Sequence, residues 1–176
     1  MNTKIENAIR SLEQLLNKTF GNIRCEFEMV HLGENSLRIL VKRNITLHTS
    51  EQSYTIFIDW DELPNGDDLY DIIIQPLDEA DFDLSRSQFL YSSAQELFFG
   101  KRQVIKQINL YSTQPTESKE PIPIAFCLIF DSGKILAFSF HNITDAKMMY
   151  VDWNEFKDSI RSSKSHPYKL YKALKV

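Results

Sequence analysis

Short apolar segments alternate with tight-turn signals along most of this 176-residue chain. The clearest case is IPIAFCLIF at 122–130, which is followed by the turn residues DSG and then by KILAFSF at 134–140. A second pair, YTIFIDW and LYDIIIQPL, flanks Asn65-Gly66, a strong signal for chain reversal. Apolar runs of this length joined by such turns pair as antiparallel hairpins. The chain is therefore predicted to fold around antiparallel strands.

The segment IPIAFCLIF is also predicted to be a central strand. Strand alternation places Phe126, Leu128 and Phe130 on one face and Cys127 and Ile129 on the other. Both sets are apolar, so both faces should be covered by other parts of the protein.

Hydrophobic periodicity predicts three or four helices and eight strands. A first amphipathic helix is expected at about 4–19, where apolar residues recur at helical spacing and Gly21 suits a left-handed C-cap. Further helices are predicted at 86–99 and 154–163, and an amphipathic C-terminal helix is predicted to begin at Pro167. The strands are predicted at 22–30, 36–43, 54–60, 69–77, 103–111, 122–130, 134–140 and 147–153.

The order of these elements is helix, four strands, helix, four strands, helix, which describes two ββββα units. The segments at 44–63 and 142–156 echo each other, because both begin with Asn-Ile-Thr and carry Asp-Trp after an apolar run. Aligning this echo matches the strands of the two halves with an offset of one strand from the ββββα count. We prefer the count of elements, because it uses the whole chain. The predicted fold class is α+β, with bent, mainly antiparallel sheets, an N-terminal amphipathic helix and a single domain over residues 1–176.

The echo itself has a structural explanation. Asp152 and Glu155 stand three residues apart after a strand, which is the spacing of a helix capping box. Asp59 and Glu62 repeat the spacing, but Pro64 disfavours a helical conformation at the residue before it and shortens the turn. A structural unit used twice is therefore favoured over a binding site used twice.

Composition and the N-terminal segment bear on the compartment. Apolar residues make up 43% and charged residues 25% of the chain, the usual balance of a globular protein. No apolar run approaches the ~18 residues of a membrane span, and the segment MNTKIENAIRSLEQLL lacks the apolar core of a signal peptide. We therefore expect a cytoplasmic protein, in which Cys25 and Cys127 are reduced, buried thiols.

Charge is the most specific feature of the sequence. The chain has a net charge of −4, yet it carries ten acidic residues and no Lys or Arg between Asp59 and Asp83. The segment from Lys157 to Val176 carries six basic residues and one acidic residue. The alternatives are a solvated acidic loop with a loose basic tail, or an acidic surface that meets and steers a basic partner. The residues predicted to bind such a partner are Asp61, Glu62, Asp67, Asp68, Asp71, Asp78, Glu79, Asp81 and Asp83.

Motifs for catalysis and metal binding are weak. Two Asp-x-Asp pairs, at 59–61 and 81–83, lack the alternating ligands, central Gly and terminal Glu of a calcium loop. Glu155, Lys157 and an upstream Asp131 resemble a nuclease set, but they fall on a predicted helix, where residues two apart point in different directions. The sequence has no helical His pair and no Gly-rich phosphate loop. We expect no catalytic, cofactor or metal-binding residues, and we expect a binding protein more than an enzyme.

At the level of topology, two ββββα units resemble the Whirly-type fold of single-stranded nucleic-acid binders. Some small bacterial immunity proteins, the antidotes of contact-dependent toxins, look similar to this fold. The resemblance concerns topology alone, so it assigns no role to any residue. Nucleases that grip phosphate present basic clefts, which an acidic surface can occupy. The leading prediction is a cytoplasmic immunity protein that binds and neutralises a cognate toxin, in particular a nuclease.

The alternative prediction is a Whirly-like protein that binds single-stranded nucleic acid. Its C-terminal segment interleaves Tyr168 and Tyr171 with Lys169, Lys172 and Lys175, so bases could stack on the rings while the lysines contact phosphates. An enzyme with a pocket that the sequence does not reveal is the third class. None of these predictions specifies the oligomeric state.

Overall fold

The computed structural model describes residues 4–25, 27–32, 37–41, 45–62, 68–77, 95–113, 121–140, 146–151, 154, 156 and 169–176. This part of the chain is mostly antiparallel sheet with one short N-terminal helix, which confirms the α+β class and the mainly antiparallel pairing. Its elements are α1 (Lys4–Glu13), β1 (Thr19–Cys25), β2 (Phe27–Leu32), β3 (Leu37–Val41), β4 (Ile45–Thr49), β5 (Ser53–Glu62), β6 (Asp68–Pro76), β7 (Gln95–Thr113), β8 (Ile122–Phe130), β9 (Ile135–Phe140), β10 (Ala146–Val151) and β11 (Lys169–Lys175).

The described strands form one sheet in the order β2-β3-β10-β9-β8-β7-β1-β4-β5-β6, and β11 pairs with β7 beside this path. The long strand β7 links the two parts of the sheet. Its first half pairs with β1 as far as Val104, and its second half pairs with β8 from Ile105 to Thr113. One strand therefore belongs to both a β1-β4-β5-β6 part and a β8-β9-β10-β3-β2 part.

The main core lies between these two parts of the sheet. The helix α1 contacts β6, β7 and β8, and β6 also contacts β8. Because the first and second parts of the sheet meet in this way, the sheet is bent around one apolar core. The fully buried side chains with the largest volume are Tyr54, Phe20, Phe126, Phe138, Ile5, Leu12, Leu15, Ile23, Ile45, Leu47 and Ile56.

The helix α1 is amphipathic, as predicted, but it is shorter than expected. Ile5, Ala8 and Leu12 lie on its buried face at helical spacing. The chain leaves the helix through tight turns, and Asn17 takes a left-handed conformation with a φ of 64°. Asparagine tolerates this conformation better than most residues. The prediction that Gly21 caps a helix reaching residue 19 is wrong, because Gly21 lies inside β1.

The prediction for the central strand is confirmed. Phe126, Leu128 and Phe130 of β8 belong to the main core, whereas Cys127 is buried on the opposite face and Ile129 packs beside it. β8 lies between β7 and β9, so it has neighbours on both edges. The hairpin that joins β8 to β9 is also confirmed, and Gly133 in its turn has a φ of 79°, which suits glycine.

The first half of the chain contains more strands than predicted. Six strands precede residue 77, where four were expected. The predicted strand 22–30 is divided between β1 and β2, which pair with different neighbours. The polar segment before the third predicted strand forms β4, because the Thr49 hydroxyl accepts the Gln52 N–H at 3.3 Å and closes a turn into β5. The first predicted ββββα unit therefore does not match the observed order of elements.

Two predicted helices are wrong where the structure describes them. Residues 95–99 of the second predicted helix belong to β7, and residues 86–94 lie outside the described part of the chain. The segment predicted as a C-terminal helix forms β11, whose backbone pairs with β7 from Ser112 to Gln107. In the third predicted helix, Asn154 and Phe156 are helical, and its other residues lie outside the described part.

Candidate functional site

The β5–β6 hairpin carries the predicted partner-binding residues that the structure describes. Asp61 and Glu62 end β5, and Asp68 and Asp71 lie at the start of β6. The other predicted residues, Asp67, Asp78, Glu79, Asp81 and Asp83, lie outside the described residues. We use the name acidic hairpin end for Asp59, Asp61, Glu62, Asp68 and Asp71.

The first copy of the echo differs from the predicted strand-to-helix junction. Trp60 was expected at a strand end, but β5 continues through Trp60 to Glu62. Asp59 and Glu62 are paired with residues of β6 rather than placed at the start of a helix. In the second copy, β10 ends at Val151, and Asp152 and Trp153 lie outside the described residues.

The register of the hairpin places acidic residues directly opposite one another. Asp59 pairs with Asp71, and Glu62 pairs with Asp68. At the open end of the hairpin, the Leu77 N–H donates to the Ser53 carbonyl at 2.8 Å. Ser53 and Leu77 are therefore a hydrogen-bonded pair, and along the hairpin such pairs alternate with non-hydrogen-bonded pairs. By this alternation Glu62 and Asp68 are a non-hydrogen-bonded pair, in which the two Cα atoms are about 4.5 Å apart.

This arrangement opposes the folding of the hairpin, because like charges directly opposite each other in an antiparallel pair are destabilising. The three residue steps from Asp59 to Glu62 span about 10 Å, so five acidic residues share a short length of two strands. The sequence between Asp59 and Asp83 supplies no Lys or Arg to compensate them. The acidic hairpin end is therefore a local concentration of negative charge.

The rest of the sheet holds the hairpin in place at its opposite end. β6 is the last strand of the described sheet, and its Ile72 and Ile74 are buried in the main core. The Gln14 side chain of α1 donates to the Ile74 carbonyl at 3.5 Å. The hairpin is thus anchored around Ile74, and the acidic hairpin end lies farther along the same two strands.

A basic strand lies at a different position in the sheet. β11 exposes Lys169, Lys172 and Lys175, and it pairs with β7. Tyr171 is 44% exposed and Leu174 only 5%, and Leu174 is the one buried residue of β11. In the described sheet order, β1, β4 and β5 separate β7 from β6. The acidic residues of β5 and β6 and the basic residues of β11 therefore lie in separate parts of the sheet.

A row of polar side chains on β7, half-buried at Gln107 and buried at Asn109 and Tyr111, was not predicted. The Gln107 side-chain amide donates to Asn109 Oδ1 at 2.6 Å, and the Asn109 amide donates to the Tyr111 hydroxyl at 3.4 Å. The Tyr111 ring meets Phe156 edge-on at a centroid distance of 5.7 Å. The alternation of polar residues in QINLY was the signal for this row. Its members satisfy one another, which is what a buried polar group requires.

The two cysteines are buried, as predicted, and they are free thiols. Burial raises the pKa of Cys127 to about 12, although a hydrogen bond with Tyr111 opposes this effect. Burial likewise raises the pKa of Cys25 to about 12, and burial raises the pKa of Tyr111 above its usual value. Both thiols are protonated at neutral pH and are poor nucleophiles.

Within the described ranges, no group of three or more His, Cys, Asp or Glu residues is arranged to hold a metal ion. None of the helical segments in the same ranges is long and apolar enough to cross a membrane. The chain matches no family model, and comparison with curated proteins and with solved structures finds no significant similarity.

Proposed function

We propose that this protein is an immunity protein that binds and neutralises a cognate bacterial toxin through the acidic hairpin end. The observation that carries the proposal is the pairing of Asp59 with Asp71 and of Glu62 with Asp68. Opposed carboxylates weaken a hairpin, so they are poorly explained as a stabilising device. A basic partner would relieve their repulsion, and its binding would be favoured by the same charges.

A nuclease toxin fits this surface best. Nucleases bind a polyanion through Lys and Arg, so their clefts are basic and attract a compact acidic surface. Asp67, Asp78, Glu79, Asp81 and Asp83, which the sequence also assigns to this surface, extend it in the proposal. The antidote of a toxin delivered between cells, as in contact-dependent growth inhibition, acts in the cytoplasm of the recipient cell. No catalytic step is proposed for the protein.

The test is a binding titration against the toxin encoded beside the gene of this protein. Asp68→Lys and Asp71→Lys should each slow association about 10-fold at physiological ionic strength, because electrostatic steering depends on local charge. This decrease in the association rate should be smaller at an ionic strength of about 1 M, where the Debye length is only about 3 Å. A nuclease assay should show that the wild type inhibits the toxin and that each variant inhibits it less.

Glu13→Lys is the matched control, because it changes the net charge by the same amount at an exposed position of α1. Glu13 precedes Gln14, which contacts the anchored region of the hairpin. The proposal is wrong if the neighbouring toxin is not bound, or if Glu13→Lys slows association as much as Asp71→Lys does.

A further inference from the structure

We propose that β11 is a docking edge that accepts an acidic, extended segment of a partner protein as an added strand. This surface is separate from the acidic hairpin end, and the inference does not depend on the proposed function. Strand addition takes affinity from main-chain hydrogen bonds and specificity from the side chains along the edge.

The exposure of β11 sets it apart from a strand that only closes a core. Leu170 is 54% exposed and Val176 is 69% exposed, and together with Tyr171 they are the exposed large hydrophobic residues of the described part of the chain. Among the strands that the structure describes, only β7 pairs with β11. An edge with unpaired backbone groups and accessible apolar side chains is a template for another strand.

A β-bulge at Tyr171 accounts for this exposure. Leu170 pairs with Tyr111 and Lys172 pairs with Leu110, so Tyr171 is the extra residue on β11. After the bulge, Leu174 lies opposite Ile108 and joins the main core. Leu174 thus fixes β11 to the body, while the bulge leaves Leu170 and Tyr171 outside that core.

The lysines decide which strand would be accepted. Lys169, Lys172 and Lys175 recur at equal intervals, so antiparallel pairing with a second copy of β11 centred on Lys172 would place lysine opposite lysine. Like charges in that position oppose pairing, and lysines on an edge strand are a known protection against self-association. A partner strand with Glu or Asp at these positions would meet all three with opposite charge.

Single-stranded nucleic acid would also be attracted by the three lysines. A stacking platform, however, needs several aromatic rings along the strand. Tyr171 is the single aromatic residue of β11, and Tyr168 lies outside the described residues. The other exposed apolar side chains of β11, Leu170 and Ala173, are aliphatic, as is the adjacent Val176. Aliphatic side chains pack against the side chains of a protein strand, so the observations favour an acidic protein segment.

The test uses a fluorescein-labelled Glu-Val peptide, in which Glu recurs at every third position among Val residues to match the spacing of the lysines, with the corresponding Lys-Val peptide and a short oligothymidylate as comparison probes. Fluorescence anisotropy at physiological salt measures binding, and amide hydrogen exchange locates it. We expect the Glu-Val peptide to bind, to slow exchange at residues of β11, and to bind at least as tightly as the oligothymidylate. Lys172→Glu and Lys169→Glu should each weaken binding by about 3- to 10-fold, since each turns a cross-strand attraction into a repulsion.

Arg102→Glu is the matched control, because Arg102 is an exposed basic residue in the half of β7 that pairs with β1. It should change peptide affinity by less than about 2-fold, as expected for a charge outside the pairing edge. Circular dichroism checks that each lysine variant is folded. If one of the two variants misfolds, the peptide affinity of the other still tests the inference.

Three results would overturn the inference. The first is that the Glu-Val peptide does not bind, or binds without slowing amide exchange in β11. The second is that the oligothymidylate binds more tightly than the Glu-Val peptide and loses affinity in Tyr171→Ala, which would assign β11 to nucleic acid. The third is a concentration-dependent dimer in sedimentation that protects β11, which would assign the edge to a second copy of the chain. The toxin titration is unaffected by any of them, so this failure is distinguishable from failure of the proposed function.

Discussion

Two strands pair with the same segment of β7 and differ completely in burial. β8 pairs with residues 105–113 of β7, and β11 pairs with residues 107–112 along its other edge. In β8, every side chain from Ile122 to Leu128 is buried, whereas in β11 Leu174 is the one buried side chain. Strand conformation is common to both, so burial is decided by the position in the sheet and by what covers each face. β8 contributes to stability, and β11 offers a surface.

The largest expected effect compares an aromatic residue from each strand. Phe126 of β8 is 0% exposed and its ring stacks on Phe138 at a centroid distance of 4.8 Å. Phe126→Ala should lower the free energy of unfolding by about 3–5 kcal/mol, because it removes buried area and leaves a cavity. Tyr171→Ala on β11 should lower it by less than about 1 kcal/mol. Urea unfolding of both variants measures the difference, and equal costs would contradict the assignment of β8 to the centre.

A second comparison separates two leucines within β11. Leu174 is 5% exposed and belongs to the main core, while Leu170 is more than half exposed. Leu174→Ala should cost about 2 kcal/mol, and Leu170→Ala should cost less than about 0.5 kcal/mol. Chemical denaturation again gives the values. If the two costs were exchanged, the register that the bulge gives to β11 would be wrong.

The thiol on the second face of β8 predicts an alkaline loss of stability. In the unfolded chain a thiol deprotonates near pH 9.0, whereas buried Cys127 and Cys25 keep their protons to about pH 12. The folded state therefore binds more protons between these pH values, so its stability is complete below pH 9 and falls as the pH rises. Each thiol contributes a loss of up to about 1.4 kcal/mol per pH unit in this window.

Replacing both thiols provides the check. The Cys25→Ala, Cys127→Ala double variant should lose less stability per pH unit above pH 9 than the wild type does. The slope is the quantity to compare, because the substitutions also create small cavities that lower stability at every pH. An unchanged slope would mean that the thiols do not account for the alkaline loss.

The contrast between β8 and β11 also explains what the sequence could predict. β8 is apolar at nearly every position and is followed by a glycine turn, so several signals agreed and its prediction was right. In β11, Leu170, Tyr171 and Leu174 have helical spacing, and a helix was predicted. The bulge shifts the strand alternation by one residue, so a strand can bury Leu174 without a strict period of two. Short strands with a bulge are therefore hard to recognise from periodicity.

Sequence patterns also failed to predict β4 and the pairing of residues at the candidate site. β4 was missed because its segment looked polar, although Thr46 is buried in the sheet. The excess of acidic residues was visible in the sequence, but composition could not reveal that Asp59 lies opposite Asp71, since register depends on long-range pairing. Sequence therefore predicted the class of fold and the sign of the charge, and the structure supplied the pairings.

The smallest expected effect tests whether the opposed carboxylates repel each other at all. Asp71→Lys replaces the like-charged pair with Asp59 by an oppositely charged pair, so it should raise the free energy of unfolding by up to about 1 kcal/mol at low salt. Asp61→Lys is the matched control, because the residue opposite Asp61 is Leu69, which is uncharged, and its gain should be smaller. High salt should reduce both gains, since screening shortens the range of the charges. A variant that gains stability while losing affinity for a toxin would show that the acidic hairpin end is maintained for binding, whereas β8 is maintained for stability. If Asp71→Lys gains no more than Asp61→Lys, the Asp59–Asp71 pair is not repulsive, and the proposed function loses one of the two pairings that carry it.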